Sequence, residues 1–174
     1  MKINARDGET FKIAGMEFIK FPSEGEATPV VAKNILFNSK FGRNNDLRSS
    51  KALKRMEAEI LPEVIAEIGE ENVLTFQTDL MAEDGLKPYE TMESKVSLPT
   101  LDFYRANVKI FDQHKVNNWW WLATPESAQP HSSDSWILCV SPSGGISYGD
   151  RYDFDRGVRP FFKFKSSIFE SFGE

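Results

Sequence analysis

Few residues in this chain have the types and spacing for covalent chemistry. Ser127, His131 and Asp134 can be written as a Ser/His/Asp set, but Ser127 sits in PESAQ. Neither a nucleophile elbow nor an oxyanion glycine surrounds it. The one cysteine, Cys139, has no intrachain partner, and His114 and His131 are the only histidines. A reducing compartment follows from the first fact, and the second leaves no zinc-ligand spacing. Asp79, Glu83 and Asp84 lie close together without the ordered ligand positions of an EF-hand. Gly144-Gly145 follows Ser141-Pro142-Ser143, which makes a turn rather than a phosphate loop opening a helix. The expectation is a protein with no cofactor, no metal and no enzymatic activity.

Binding chemistry is better represented. Residues 148–156 mix Tyr, Arg, Asp and Gly before a closing apolar strand. Tyr and Arg dominate interface hot spots, and Gly adds adaptability. Tyr148, Arg151, Tyr152, Asp153 and Arg156 are therefore candidate partner contacts. A second polar loop, Thr124–Ser135, adds His131, and a hairpin between the two should bring them together. Trp119, Trp120 and Trp121 are consecutive, so on a strand Trp119 and Trp121 face one way and Trp120 the other. Trp120 is the candidate for a contact surface, with Trp119 and Trp121 as packing residues. Arg159 and Pro160 read as structural. An arginine in an apolar strand ties down carboxylates or loop carbonyls with its fork, and Asp102, Asp153 and Asp155 are the carboxylates at hand.

The formal net charge is −5, which argues against general nucleic-acid binding. Charge is unevenly placed, however. Lys33, Lys40, Arg43, Arg48, Lys51, Lys54 and Arg55 are opposed only by Asp46, and residues 57–71 then carry six Glu and no base. Either this is a solvated helix face, or a basic patch of Arg43, Arg48, Lys51, Lys54 and Arg55 steers a charged partner.

The elements that position these residues can be read from periodicity. Residues 9–37 read as β, with Phe11 and Ile13 alternating with polar neighbours and Ala14-Gly15 as a turn. Residues 46–69 read as helix, since Leu53, Met56, Ile60, Val64 and Ile68 recur at three and four. Ser49 or Ser50 can cap its start and Gly69 its end, while Pro62 should split it in two. Val73–Phe76 is β-like, and Thr78–Lys95 reads as loop. Thr100 can cap a short helix carrying Leu101, Tyr104 and Val108. Residues 117–165 form a β half, with strands at Trp119–Ala123, Ser135–Val140, Ile146–Tyr148 and Val158–Phe164. No boundary divides the 174 residues, so a single α+β domain is expected. The first residues lack an apolar region of roughly 7–15 residues, so no export signal is expected; no run of about 18 apolar residues occurs, so no membrane span is expected, and a cytoplasmic location is the expectation.

Two segments of the β half carry a resemblance. Trp120-Trp121-Leu122-Ala123-Thr124-Pro125 and Gly157-Val158-Arg159-Pro160 are similar to the WWL-x-[ST]-P and GVRP motifs of an uncharacterised family of phages, prophages and Firmicutes. Leu98-Pro99-Thr100-Leu101-Asp102-Phe103-Tyr104 fits the same family more loosely, and the likeness extends from about Asn34. That family resembles the C-type-lectin-like superfamily, which includes formylglycine-generating enzymes. The resemblance implies twisted antiparallel sheets with two or three helices and a binding surface made by the loops before the closing strand. It does not carry activity. The oxidase relatives need two cysteines, and calcium-dependent lectins use a Trp-Asn-Asp tripeptide that this chain lacks.

The resemblance and the missing export signal together suggest an intracellular phage-type inhibitor. Its protein partner would be a host defence nuclease of CRISPR-Cas type. A virion or surface module binding a receptor or carbohydrate is the alternative. A DNA-contacting accessory factor using the basic patch is a third.

Overall fold

In the computed structural model, which describes residues 2–151 and 155–172, local sequence sets most elements. Strand β1 (Thr10–Ile13) turns through Ala14-Gly15 into β2 (Met16–Lys20). Both turn residues have positive φ, 52° and 75°, as a two-residue hairpin with the right twist requires. Strands β3 (Ala27–Ala32) and β4 (Phe37–Ser39) follow. The side chain of Ser50 accepts the Leu53 N–H at 3.0 Å and starts helix α1 (Lys51–Arg55). A π turn, Met56–Ile60, joins it to α2 (Leu61–Ile68), and Gly69 at φ 90° ends the run.

Pro62 does not split this helix. The Leu61 N–H already reaches back five residues to the Met56 carbonyl. The ladder has therefore changed register one residue before the proline, which has no N–H to contribute. The same wide turn keeps Met56, Val64 and Ile68 on the buried face.

The segment 78–95 is also not all loop. Strand β5 (Phe76–Asp79) pairs antiparallel with β6 (Thr91–Ser94). Burial alternates along β5, with Phe76 and Thr78 in and Gln77 and Asp79 out. Threonine at one inward position hid the period from a reading based on apolar residues. Thr100 accepts the Phe103 N–H at 3.1 Å and opens α3 (Leu101–Ala106), which leads into α4 (Val108–Asp112).

The remaining strands are β7 (Trp120–Pro125), β8 (Trp136–Val140), β9 (Ile146–Asp150), β10 (Arg156–Val158) and β11 (Phe161–Lys165). The expected single strand over 158–164 is two, divided at Arg159-Pro160. Its halves join different sheets. One sheet has the order β1-β2-β3-β11, and the other β4-β10-β7-β8-β9. Between the named strands pairing is antiparallel except for β10 and β7, which run parallel through Gly157 and Trp120, and an isolated parallel bridge joins Ile3 to Phe169.

Both of these larger sheets contribute to a core cluster on each face. One core cluster joins Phe18, Val30 and Phe162 of the first sheet to Trp121 and Cys139 of the second and to Met56 and Val64 of the helical run. The other joins Val31 and Phe161 to Trp120, Leu138, Tyr104 and Phe111. These two clusters make an α+β fold. Among the described residues no helix is long and apolar enough to cross a membrane.

Candidate binding surface

Asn45 holds the site together. It is fully buried, on the loop between β4 and α1. Its amide nitrogen donates to the Ser127 carbonyl at 2.8 Å and the Trp136 carbonyl at 3.2 Å. Its amide oxygen accepts from the Tyr89 hydroxyl at 2.5 Å. An asparagine can do this because one side chain carries both donors and an acceptor. Three loops that are distant in sequence thus meet at a single amide. The neighbours fix Asn45 in turn. Asn44 accepts the Asp46 N–H at 3.0 Å, and Asp46 accepts the Arg48 N–H at 3.0 Å to cap a short turn.

Arg151 brings in a fourth loop. Its guanidinium donates to the Arg43 carbonyl and the Ser135 hydroxyl. Its own N–H donates to the Ser135 carbonyl and its carbonyl accepts the Phe41 N–H, both at 3.0 Å. Of the expected 148–156 loop, residues 148–150 and 156 lie in β9 and β10, and Arg151 between them meets the Thr124–Ser135 loop and the start of the basic stretch. Arg151 serves here as a clamp between loops.

Asp84 lies at the edge of this arrangement. Its Oδ2 accepts from the Ser127 hydroxyl and lies 3.0 Å from His131 Nδ1. These bonds, Ser127 first, hold the carboxyl below the ordinary aspartate range. The carboxylate stands between serine and histidine, so the imidazole is not placed to take the Ser127 proton. A nucleophile needs its base within direct reach. Burial pushes the Cys139 thiol up to about 11, which leaves it protonated and unreactive at neutral pH. Among the described residues no three His, Cys, Asp or Glu side chains cluster to hold a metal.

What the clamped loops display is mixed and aromatic. The side chains of His131 and Arg48 are 55% and 44% exposed. Arg48 forks onto Asp46, with Nε to Oδ1 at 3.0 Å and Nη2 to Oδ2 at 2.9 Å. That bond raises its already high pKa. The same guanidinium lies 5.6 Å from the centre of the Tyr89 ring. Tyr148, 54% exposed, stands edge-on to Trp136 at 5.5 Å and continues the surface along β9.

The Trp and GVRP segments form one structural unit. The Gly157 N–H donates to the Trp119 carbonyl at 2.7 Å. Arg159 is 1% exposed and lies over the Trp120 ring at 4.7 Å. Its fork donates to the carbonyls of Ala32 and Lys33 at 3.0 Å and of His114 at 3.2 Å. Of the two kinds of partner expected, carboxylates or loop carbonyls, these are carbonyls, and the candidate Asp102 pairs with Arg105 at 2.6 Å. Desolvation lowers the Arg159 pKa to about 10, and the three carbonyls and the indole face hold the charge in place. Pro160 is buried, and its carbonyl accepts the Ala32 N–H at 2.9 Å.

Trp120 is a correction. It is 2% exposed, so its ring packs against Tyr104 and Phe111 and offers no contact face. The alternation itself holds, with Trp121 in one core cluster, Trp119 packed against it, and Trp120 in the other. Arg156 is half-buried, its guanidinium 5.0 Å from the Trp119 ring. Tyr152 and Asp153 lie outside the described residues. In the basic stretch, Arg43, Lys51 and Lys54 are exposed, while Arg48 is paired with Asp46 and Arg55 with Glu59 at 2.9 Å. Asn45 and Tyr89 escaped the sequence reading. The Asn44-Asn45-Asp46 run amid basic residues was the signal for the first, and nothing marked the second.

In comparison with known proteins, no family model, no curated protein and no solved structure matches the chain.

Proposed function

We propose that the protein is a non-catalytic binding module that presents its clamped loops to a protein partner. The observation that carries this reading is the Asn45 amide joining three loops, with Arg151 adding a fourth. Loops ordered before binding lose little entropy on association. Around that anchor, Arg48, Tyr89 and Tyr148 supply side-chain types that dominate protein interfaces, and His131 is exposed on the Thr124–Ser135 loop. The Ser127–Asp84–His131 arrangement and the inert Cys139 favour binding over catalysis.

The finer reading rests on the likeness of WWLATP and GVRP to phage and prophage proteins with C-type-lectin-like folds. On that reading the module is a mobile-element inhibitor that occupies a host enzyme, a defence nuclease of CRISPR-Cas type. Pairing of Arg48 and Arg55 with carboxylates weakens the case for a DNA-contacting role, because fewer free cations remain to displace counterions.

Affinity capture from bacterial lysate, read by mass spectrometry, tests the proposal. Stoichiometric recovery of one intracellular enzyme that the purified protein also inhibits supports it. Binding to a glycan array or to DNA with a steep salt dependence, and no enzyme recovered, overturns it.

A further inference from the structure

One groove outside the clamped loops combines aromatic rings with carboxylates. Two cavities, of about 230 and 90 Å³, share Asp79, Thr100 and Asp102 as walls. Phe76, Phe103 and Phe161 line the larger one. Phe76 is an inward position of β5, Phe161 opens β11, and Phe103 lies in the turn that Thr100 caps. The Phe161 ring stands edge-on to both others, 5.3 Å from Phe76 and 4.9 Å from Phe103.

The rim carries an excess of acid. Asp79 and Asp102 border both cavities, Glu24 the larger and Glu83 the smaller. Two bases face them, and each is already paired. Lys163 bonds Glu24 at 3.0 Å, and Arg105 bonds Asp102 at 2.6 Å. Asp79 and Glu83 are exposed and make no ion pair among the described residues. Two negative charges therefore remain beside rings whose faces attract cations. The chain itself seats a cation in this way. Lys163 Nζ lies 5.7 Å from the centre of the Phe76 ring while it bonds Glu24. Phe103, half-buried, and Asp79 offer the same pair of features in the same cavity.

We propose that this groove takes a lysine or arginine side chain of a protein partner, with its stem over Phe103 and its charged head at Asp79. A long basic side chain suits both features, because its methylenes cover apolar surface while the head stays at the rim. The volume suits a single side chain. Small-molecule sites run from roughly 300 to 1,000 Å³, and the larger cavity falls below that range. The groove also opens beside the loop surface. The Glu83 N–H donates to the Pro125 carbonyl at 2.9 Å, and the next residue, Asp84, holds Ser127 and His131. One partner can reach both, yet the groove has its own chemistry and does not depend on the loops being an interface.

An NMR titration of the isotope-labelled protein with a short capped peptide centred on lysine tests this, beside its arginine and norleucine analogues. Both basic peptides are expected to shift the amides of Asp79, Thr100 and Phe103. The norleucine peptide keeps the stem and lacks the charge, so it should bind about fivefold more weakly or worse. Asp79→Asn should weaken binding of the lysine peptide by about fivefold. Its amide oxygen can still accept the Met81 N–H, which Asp79 accepts at 2.9 Å, so the local turn is kept. Tyr148→Ala, on the loop surface, should bind the peptide as the parent does. No shifts at millimolar peptide, or shifts confined to other parts of the chain, overturn the proposal. So do norleucine binding as tight as lysine, an Asp79→Asn variant that binds like the parent, or an equal loss in Tyr148→Ala.

Discussion

The Tyr89 hydroxyl and the Asn45 amide oxygen lie 2.5 Å apart, and that bond ties the loop of a two-stranded hairpin to the strand ends of a larger sheet. Asn45→Ala removes it together with two bonds to carbonyls. A buried polar group left unpaired costs roughly 1–3 kcal/mol. Asn45→Ala is expected to destabilise by about 2–4 kcal/mol, and Tyr89→Phe by only about 1 kcal/mol. Urea unfolding with a constant m-value checks both. A neutral Asn45→Ala would mean that the loops are not joined there.

Gly157 follows from space rather than from backbone angle. A Cβ at this position would lie 2.4 Å from Ile35 Cδ1 and 2.6 Å from its Cγ1. Gly157→Ala should destabilise by about 1–3 kcal/mol. Adding Ile35→Ala should return part of that loss, measured as a coupling in a double-mutant cycle. Simple addition of the two effects would contradict the contact.

Asp84 gives a pH dependence with a definite sign. Its folded-state pKa is depressed, first by the Ser127 bond and then by His131. The stability it adds is present above the ordinary aspartate pKa and is lost as pH falls through the depressed value. Ser127→Ala should move the Asp84 midpoint upward in a carboxyl-carbon NMR titration. An unmoved midpoint would show that the serine bond is not the cause.

Cys139 reports on unfolding. Its raised folded-state pKa keeps the thiol protonated in the native protein, and this contribution is lost as pH rises from about 9 to about 11. At pH ~8 a thiol reagent should label the native chain only as fast as it opens, and label the denatured chain at once. Rapid native labelling would contradict its burial.

Much of the fold was legible because its signals are local. Alternation marked β1 and β2, three-and-four spacing marked the helical run, and Thr100 and Gly69 marked helix ends. The hairpin of β8 and β9 followed from Ser-Pro-Ser-Gly-Gly. Non-local features were not legible. The division at Arg159-Pro160 depends on which sheet each half joins, and the helix passes Pro62 only because a π turn precedes it. Trp120 shows the limit for the site, because a sheet covered on both faces leaves no outward side for alternation to expose. Asn45 is the same case in reverse. Its role lies in three contacts at sequence separations of 44, 82 and 91 residues, which no spacing rule reaches.

The most direct test of the loop surface is the affinity of the captured partner for a triple variant, Arg48→Ala, His131→Ala and Tyr148→Ala, measured by calorimetry beside the parent and a Glu93→Ala control on β6. His131 and Tyr148 are more than half exposed and Arg48 is 44% exposed on its bond to Asp46, so an unchanged urea midpoint for the variant is measured beside the affinity. Affinity is expected to fall by about 100-fold or more, with the control unchanged. An affinity equal to the parent's would place the interface elsewhere on the molecule and contradict the account.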